Sequence, residues 1–237
     1  MELLIVLAAI FIPYLIGSIS FARIISQLVS PETDITDAEL TLPGTDVRMR
    51  MQSMGANTVS MKLGPKVGCT IGILDILKGF LPTLAFKLLY PEQPYFLIAA
   101  VFAMIGHCWP IYYRFQGGRG VSTYYGGLFA FDWLGALVTS SVGMIFGMVV
   151  LRDMLVAYLA GLWLIIPWMW WTQSDPAYLI YAIVVNVVFM LAMLPEIREV
   201  LRIRREYGKE DMSEAMSQFP MGRSMLRIMQ KLGLKRS

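Results

Sequence analysis

The sequence predicts an all-α membrane protein, a polytopic bundle of about seven transmembrane helices with its N-terminus outside and its C-terminus cytoplasmic. Three observations predict it. Hydrophobic residues make up 57% of the chain and charged residues 16%, with a mean hydropathy of +0.59, far from the balance of a soluble domain. Apolar runs long enough to cross a bilayer recur along the chain, separated by short polar turns. Lysine and arginine gather in alternate connections, as cytoplasmic loops do under the positive-inside rule. The 237 residues leave room for one bundle and little extramembrane mass, which excludes a large soluble catalytic domain.

The run from Leu3 to about Val29 is the first span, interrupted by Pro13, Gly17, Ser18 and Ser20, with Arg23 near its far end able to snorkel to the interface. It is too long for the apolar part of a signal peptide and has no basic residues before it, so it reads as a retained helix. Residues 30–65 form the longest polar stretch before the tail. Its first part, PETDITDAELTLPGTD, is an acidic surface excursion. Its second, VRMRMQSMGANTVSMKLG, is basic and suits either a loop that hydrogen-bonds a polar ligand or an interfacial amphipathic helix, to which Met49, Met51, Met54 and Met61 give an apolar component.

The second span runs from about Val67 to Leu89 and carries Asp75 and Lys78, three apart and so on one helical face. Ionisable groups at that depth must pair or be wet; the pair is either a polar functional element or a buried structural tie. A third span from Tyr95 to about Tyr113 ends in IGHCWPIYYRFQGGRGVSTYYG. Tyr124 to Phe131 is too short to cross alone, which predicts a short fourth helix starting near Arg119 and breaking around Phe131 and Asp132. Trp133 to Leu151 is the fifth span, Leu155 to Trp171 the sixth and Pro176 to Leu194 the seventh. Trp168, Trp170 and Trp171 cluster where an interfacial belt belongs. Residues 1–195 are therefore the bundle, with cytoplasmic loops at 30–65 and 114–123, and residues 196–237 a basic amphipathic tail on an anionic surface. Lys87 is the clear cation on the other side. The net charge of +3 lies mostly in loops and tail and speaks to orientation before it speaks to nucleic acid, for which no partner role is expected.

The chemistry concentrates around Arg119. Gly117, Gly118 and Gly120 let the backbone approach a ligand closely, the following helix start offers unpaired N–H donors, and Arg119 supplies a forked cation for phosphate oxygens. A tight connection between two membrane helices is the competing reading of the same glycines. With His107 the single histidine and Cys69 and Cys108 in or beside apolar runs, no metal site and no cofactor are expected. His107, next to Trp109 and Pro110, reads as a structural hydrogen-bonding group before it reads as an acid or base.

Four stretches, in order and at matching spacing, resemble the acyl-phosphate-dependent glycerol-3-phosphate acyltransferases, the PlsY family. YLIGSISFARIIS from Tyr14 is similar to the family's GSIPF-type opening, and MGANTVSMKLG from Met54 to its GSGNxGATNVxRxLG loop. ILDILKG from Ile73 resembles its second helix, and GHCWPIYYRFQGGRGVST from Gly106 its GHxFPxxxxFKGGKGVAT segment, which is the specific one. The resemblance implies a multi-pass enzyme of the cell membrane that moves a fatty acyl group from acyl phosphate to the first hydroxyl of glycerol 3-phosphate, giving lysophosphatidic acid without coenzyme A. It implies catalytic roles for Ser53, Asn57 and Arg119. Phosphate binding falls to Gly55, Thr58, Lys62, Gly117, Gly118, Gly120 and Ser122, with Thr123 a further hydroxyl donor.

The chain departs from the family's pattern in several places. Arg50-Met51-Gln52-Ser53 stands where the family reads GSGN, so Ser53 serves only with a shift in register. Ala56-Asn57-Thr58 swaps the order of two polar groups, and the cation that usually follows is replaced at a distance by Lys62. Arg152 fits, but DMLVAY lacks the serine expected after it. Leu194-Pro195-Glu196-Ile197-Arg198 stands where the family carries an Arg-His-Arg-x-x-Asn type motif. Three functions remain open on the sequence: the acyltransferase, a non-catalytic member that binds lipid phosphate or phospholipid, and a transporter using Asp75 and Lys78 as a polar path.

Overall fold

The computed structural model describes residues 1–35, 38–41, 48–51, 54–151 and 154–207, together with positions 224, 227, 228, 230, 231 and 233. Ser53, Arg152, most of the acidic insert and most of the tail lie outside the described residues. The described chain is a helical bundle with one small hairpin. Helix α1 (Glu2–Gly17) and α2 (Phe21–Val29) divide the first apolar run; strands β1 (Ala38–Thr41) and β2 (Arg48–Met51) pair antiparallel; α3 (Ala56–Leu63) follows. Then come α4 (Pro65–Leu89), α5 (Tyr95–Cys108), α6 (Val121–Phe131), α7 (Trp133–Ile145), α8 (Met154–Thr172) and α9 (Pro176–Tyr207). The basic half of the 30–65 stretch is thus neither one loop nor one interfacial helix. It supplies a strand and then α3.

Among the described residues five stretches are long and apolar enough to cross a membrane: Glu2–Val29, Pro65–Leu89, Tyr95–Tyr113, Trp133–Val150 and Pro176–Glu199. Two further helices, α6 and α8, bring the total near the expected seven, but α6 is short. At 1.5 Å per residue its 11 residues reach about 16 Å, half a hydrocarbon core. Apolar side chains such as Leu3, Leu4, Phe11, Leu81, Leu88 and Ile180 point outward and exposed, as a lipid-facing surface requires. The boundary expected between bundle and tail at 195 and 196 falls inside α9, which runs unbroken through Pro195.

Small residues set the helix crossings. A Cβ on Gly17 would run into the backbone of Ala103, and one on Gly106 into the backbone of Tyr14, so α1 and α5 touch main chain to main chain. The same reciprocity joins α4 to α6 through Gly79 against Thr123 and Gly126 against Ile76. Lipid gives helices no hydrophobic reason to associate, so close backbone approach and dispersion carry the packing.

Two breaks in the helices have polar causes. Between α6 and α7, Asp132 accepts from the Gly135 N–H at 2.8 Å and from the Trp168 indole at 2.7 Å, capping α7 and tying it to α8. Lys87 donates to the carbonyls of Ala130 and Phe131 at 3.4 and 3.3 Å, covering the end of α6. Between α1 and α2 the helix opens at Ser18–Ser20, and the freed carbonyl of Ile19 receives the Lys78 ammonium at 2.8 Å. A second-span cation therefore closes the interruption in the first.

Candidate functional site

The stretch between α5 and α6 is held from several sides. After Pro110 the chain makes one 3-10 turn, Ile111–Tyr113, and then two residues in left-handed conformation, Arg114 (φ 52) and Phe115 (φ 60). Side chains rarely adopt that backbone, so neighbouring contacts must hold it. Arg23 supplies two of them. Its Nη2 donates to the Gln116 carbonyl at 3.1 Å and its guanidinium lies 4.9 Å from the centre of the Tyr113 ring. Tyr14 adds a hydroxyl bond to the Trp109 carbonyl at 3.0 Å. Arg23 is thus built into the loop rather than snorkelling free.

Gly117 and Gly118 sit where no side chain fits. A Cβ on Gly117 would strike the His107 carbonyl, and one on Gly118 would strike His107 Nε2. The Gly118 N–H donates to the His107 carbonyl at 3.1 Å, and the Met54 N–H donates to the Gly117 carbonyl at 3.0 Å. That last bond joins the segment before α3 to the loop before α6, so the two polar loops form one surface. Gly120 opens α6 at φ 81, a conformation that favours glycine.

Beneath the loop lies a buried polar cluster. Lys78 Nζ is 2.9 Å from Asp75 Oδ1, and His107 Nδ1 is 3.6 Å from the same oxygen. Both the Asp75 and the Lys78 side chain are 4% exposed, so the two form a buried ion pair. A small cavity touches Ser18, Met54, Asp75, Lys78, His107 and Gly118. At 3.6 Å the His107 contact is too long for a hydrogen bond, so it is an electrostatic neighbour of Asp75 rather than its bonded partner.

A larger cavity of about 850 Å³ lies on the other side of Asp75 and His107, which line both. One part is polar: Gly55, Asn57 and Thr58 at the start of α3, with Arg119, Gly120 and Ser122 at the start of α6. Another part is apolar, formed by Ile73 and Ile76 of α4, Phe129 of α6 and Met144 of α7. From Ser122 to Phe129 the lining advances about 10 Å along α6.

The structure therefore brings together Gly55, Asn57, Thr58, Arg119, Gly120 and Ser122 around one cavity and Gly117 and Gly118 beside it. Lys62 is exposed in the last turn of α3 and lines neither cavity. Thr123 is fully buried, its backbone packed on Gly79. One residue turns a helix by about 100°, which sends Ser122 to the cavity and Thr123 away from it. Among the described residues no group of three or more His, Cys, Asp or Glu is arranged to hold a metal ion.

One site residue has no sequence signal comparable to the rest. Glu196, 5% exposed on α9, places Oε2 2.8 Å from Arg119 Nε. Its clue was weak: a lone carboxylate after Pro195, at the end of a span expected to finish on the same face as the Arg119 loop.

With this geometry in view, three comparisons bear on the chain. The family model described as glycerol-3-phosphate acyltransferase matches residues 7–204. The chain is 33% identical over 165 residues to the glycerol-3-phosphate acyltransferase of Desulfotalea psychrophila, covering 65% of this chain and 75% of that one. It is 28% identical over 183 residues to the protein of that name from Mycoplasma mobile, covering 73% and 71%. Its fold is similar to the crystal structure of PlsY (YgiH), an integral membrane glycerol 3-phosphate acyltransferase, in the glycerol 3-phosphate form. The TM-score is 0.70 at 25% identity, over 84% of this chain and 93% of that one.

Proposed function

The chain belongs to the glycerol-3-phosphate acyltransferase family, and from that premise we propose that it acylates glycerol 3-phosphate in the membrane, with acyl phosphate as donor, to give lysophosphatidic acid for phospholipid synthesis. The observation that carries this reading is a single cavity in which phosphate-binding groups and an apolar channel share walls. An acyl phosphate needs both at once. Its phosphate calls for Arg119, the α6 N-terminus and the hydroxyls of Thr58 and Ser122; its acyl chain calls for the surfaces of Ile73, Ile76, Phe129 and Met144.

The chemistry asks for little beyond position and charge. The first hydroxyl oxygen of glycerol 3-phosphate attacks the acyl carbon, the carbon–oxygen bond to phosphate breaks, and the hydroxyl proton leaves with the phosphate or to water. An acyl phosphate is a mixed anhydride and already activated, so no covalent enzyme nucleophile, cofactor or coenzyme A enters. Arg119 offsets the charge that builds on the departing phosphate, while Asn57 offers an amide to align the acceptor. Ser53 is kept as a candidate aligning hydroxyl, and Lys62 as a long-range cation on the polar face. Asp75 and Lys78 lie beside His107, whose carbonyl accepts from the Gly118 N–H. The site opens to the cytoplasm in this reading, together with loops 30–65 and 114–123 and the tail, so that a water-soluble acceptor meets a lipid donor.

Purified protein in lipid, given acyl phosphate and glycerol 3-phosphate, is expected to release phosphate and form lysophosphatidic acid. Palmitoyl-coenzyme A in place of acyl phosphate should yield no product. Phosphate release that ignores glycerol 3-phosphate, or equal turnover from the coenzyme A ester, would reject the acceptor or the donor respectively. A non-catalytic phospholipid binder would leave both reactions silent.

A further inference from the structure

A cation that must bind and then release phosphate already has an anion of its own. Arg119 lines the large cavity, with a side chain 15% exposed, and Glu196 Oε2 meets its Nε at 2.8 Å. Glu196 reaches it from α9, immediately after Pro195, whose ring has no N–H to give and so weakens the helix at that turn. The Glu196 side chain is 6% exposed, so its charge is little screened and acts at short range.

To a guanidinium, a carboxylate and a phosphate are alternatives. Both offer paired oxygens at the spacing of the arginine fork. They also repel each other. A phosphate arriving at Arg119 brings up to two negative charges beside a buried carboxylate, and like charges at that distance disfavour one another. Phosphate binding must therefore either displace Glu196 from Arg119 or bear its repulsion. Both routes lower phosphate affinity below that of an arginine with no carboxylate beside it.

We propose that Glu196 is a resident anion on Arg119, exchanging with phosphate in each turnover and keeping product phosphate from being held too tightly. When the cavity is empty, the carboxylate neutralises a half-buried guanidinium that would otherwise be costly. As phosphate enters, Glu196 yields. After acyl transfer it returns and phosphate leaves. No covalent bond of the protein changes in the exchange. The proposal rests on the reading of Arg119 as the phosphate ligand.

The test compares wild type, Glu196→Gln and Arg119→Ala in lipid nanodiscs, using inorganic phosphate as the probe. Two quantities are read: inhibition of lysophosphatidic acid formation by phosphate, and the rise in thermal midpoint that phosphate produces. Glu196→Gln is expected to be inhibited at about tenfold lower phosphate, with a larger thermal shift, because a near-isosteric amide removes the competing charge. Folded Glu196→Gln protein that binds phosphate equally or more weakly would overturn the proposal and make Glu196 a strut that orients Arg119. If Arg119→Ala binds phosphate as wild type does, the reading of Arg119 fails instead. Wild-type protein carrying isotope-labelled glutamate needs no variant to fold. Phosphate should shift a glutamate carboxylate band in its infrared difference spectrum, and an unchanged band would count against the exchange.

Discussion

Two buried ion pairs of nearly equal length border the large cavity, and they differ in how their cations are held. Asp75 and Lys78 are 2.9 Å apart within one helix, each side chain 4% exposed, and the ammonium also closes the broken turn at Ile19. Arg119 and Glu196 are 2.8 Å apart across a loop and a distant helix, and Arg119 faces the large cavity. The first pair is tied into the scaffold through Lys78, although Asp75 itself reaches the cavity wall. The second meets a ligand space. Burial of charge thus serves structure where the cation is also held by main chain, as Lys78 is by Ile19, and serves binding where the cation itself faces the cavity, as Arg119 does.

The sharpest break in that comparison is at Asp75. Replacing it by Asn leaves Lys78 buried without its counterion, beside His107, and should destabilise the protein by about 3–5 kcal/mol. The double change Asp75→Asn with Lys78→Met should be milder than either single change, read by thermal unfolding in lipid. Additive losses would show that the two groups do not act as a pair.

Arg119→Ala tests the other pair by its function. Activity should fall by about 10²–10³-fold, on the order of 2.7–4 kcal/mol in transition-state stabilisation, as when one positioned donor is lost. Arg119→Lys should keep part of it, since a point charge remains but the fork is gone. Wild-type rates in both variants would leave Arg119 a connector and nothing more.

Between the pairs lies Gly118, whose N–H bonds the His107 carbonyl and whose missing Cβ makes room for His107 Nε2. Gly118→Ala should cost about 1–3 kcal/mol, the range for overpacking a filled interior, and should lower activity by displacing Arg119 next to it. A stable variant with lowered activity would place the strain in the loop alone. A variant unchanged in both would mean that the imidazole gives way freely.

How much of this was legible in the sequence follows the same division. The Asp75–Lys78 pair could be read because helical periodicity fixes which residues share a face once a span is assigned. The short α6 and the break at Asp132 could be read because length against bilayer thickness is arithmetic. Glu196 could not be paired with Arg119 in advance, because their meeting depends on where α9 packs. The sequence offers Thr123 beside Ser122 as a hydroxyl donor to the ligand, but the phase of α6 turns it into the α4 contact; that phase is set by Gly79 and Gly126 packing. The strands before α3 were unreadable for a different reason. Ala38–Thr41 and Arg48–Met51 each alternate apolar and polar residues, but over four residues only, too short a run to outweigh a loop or an interfacial helix.

The smallest effect expected isolates burial from geometry. Beyond the last apolar turn of α9, Arg202 holds Glu199 with two bonds of 2.6 and 3.1 Å, the first shorter than the contact of either buried pair, and lies 3.8 Å from Glu206. Its side chain is 54% exposed and that of Glu199 31%. Water already solvates both charges, so the pair gains little by forming and gives up side-chain freedom to do so. Arg202→Ala should therefore change stability by at most about 0.5 kcal/mol and leave phosphate inhibition where it was. A loss of several kcal/mol would mean that this turn of α9 is covered in the membrane-bound protein. The distinction between sealed and exposed pairs would then have to be redrawn with Arg202 on the buried side.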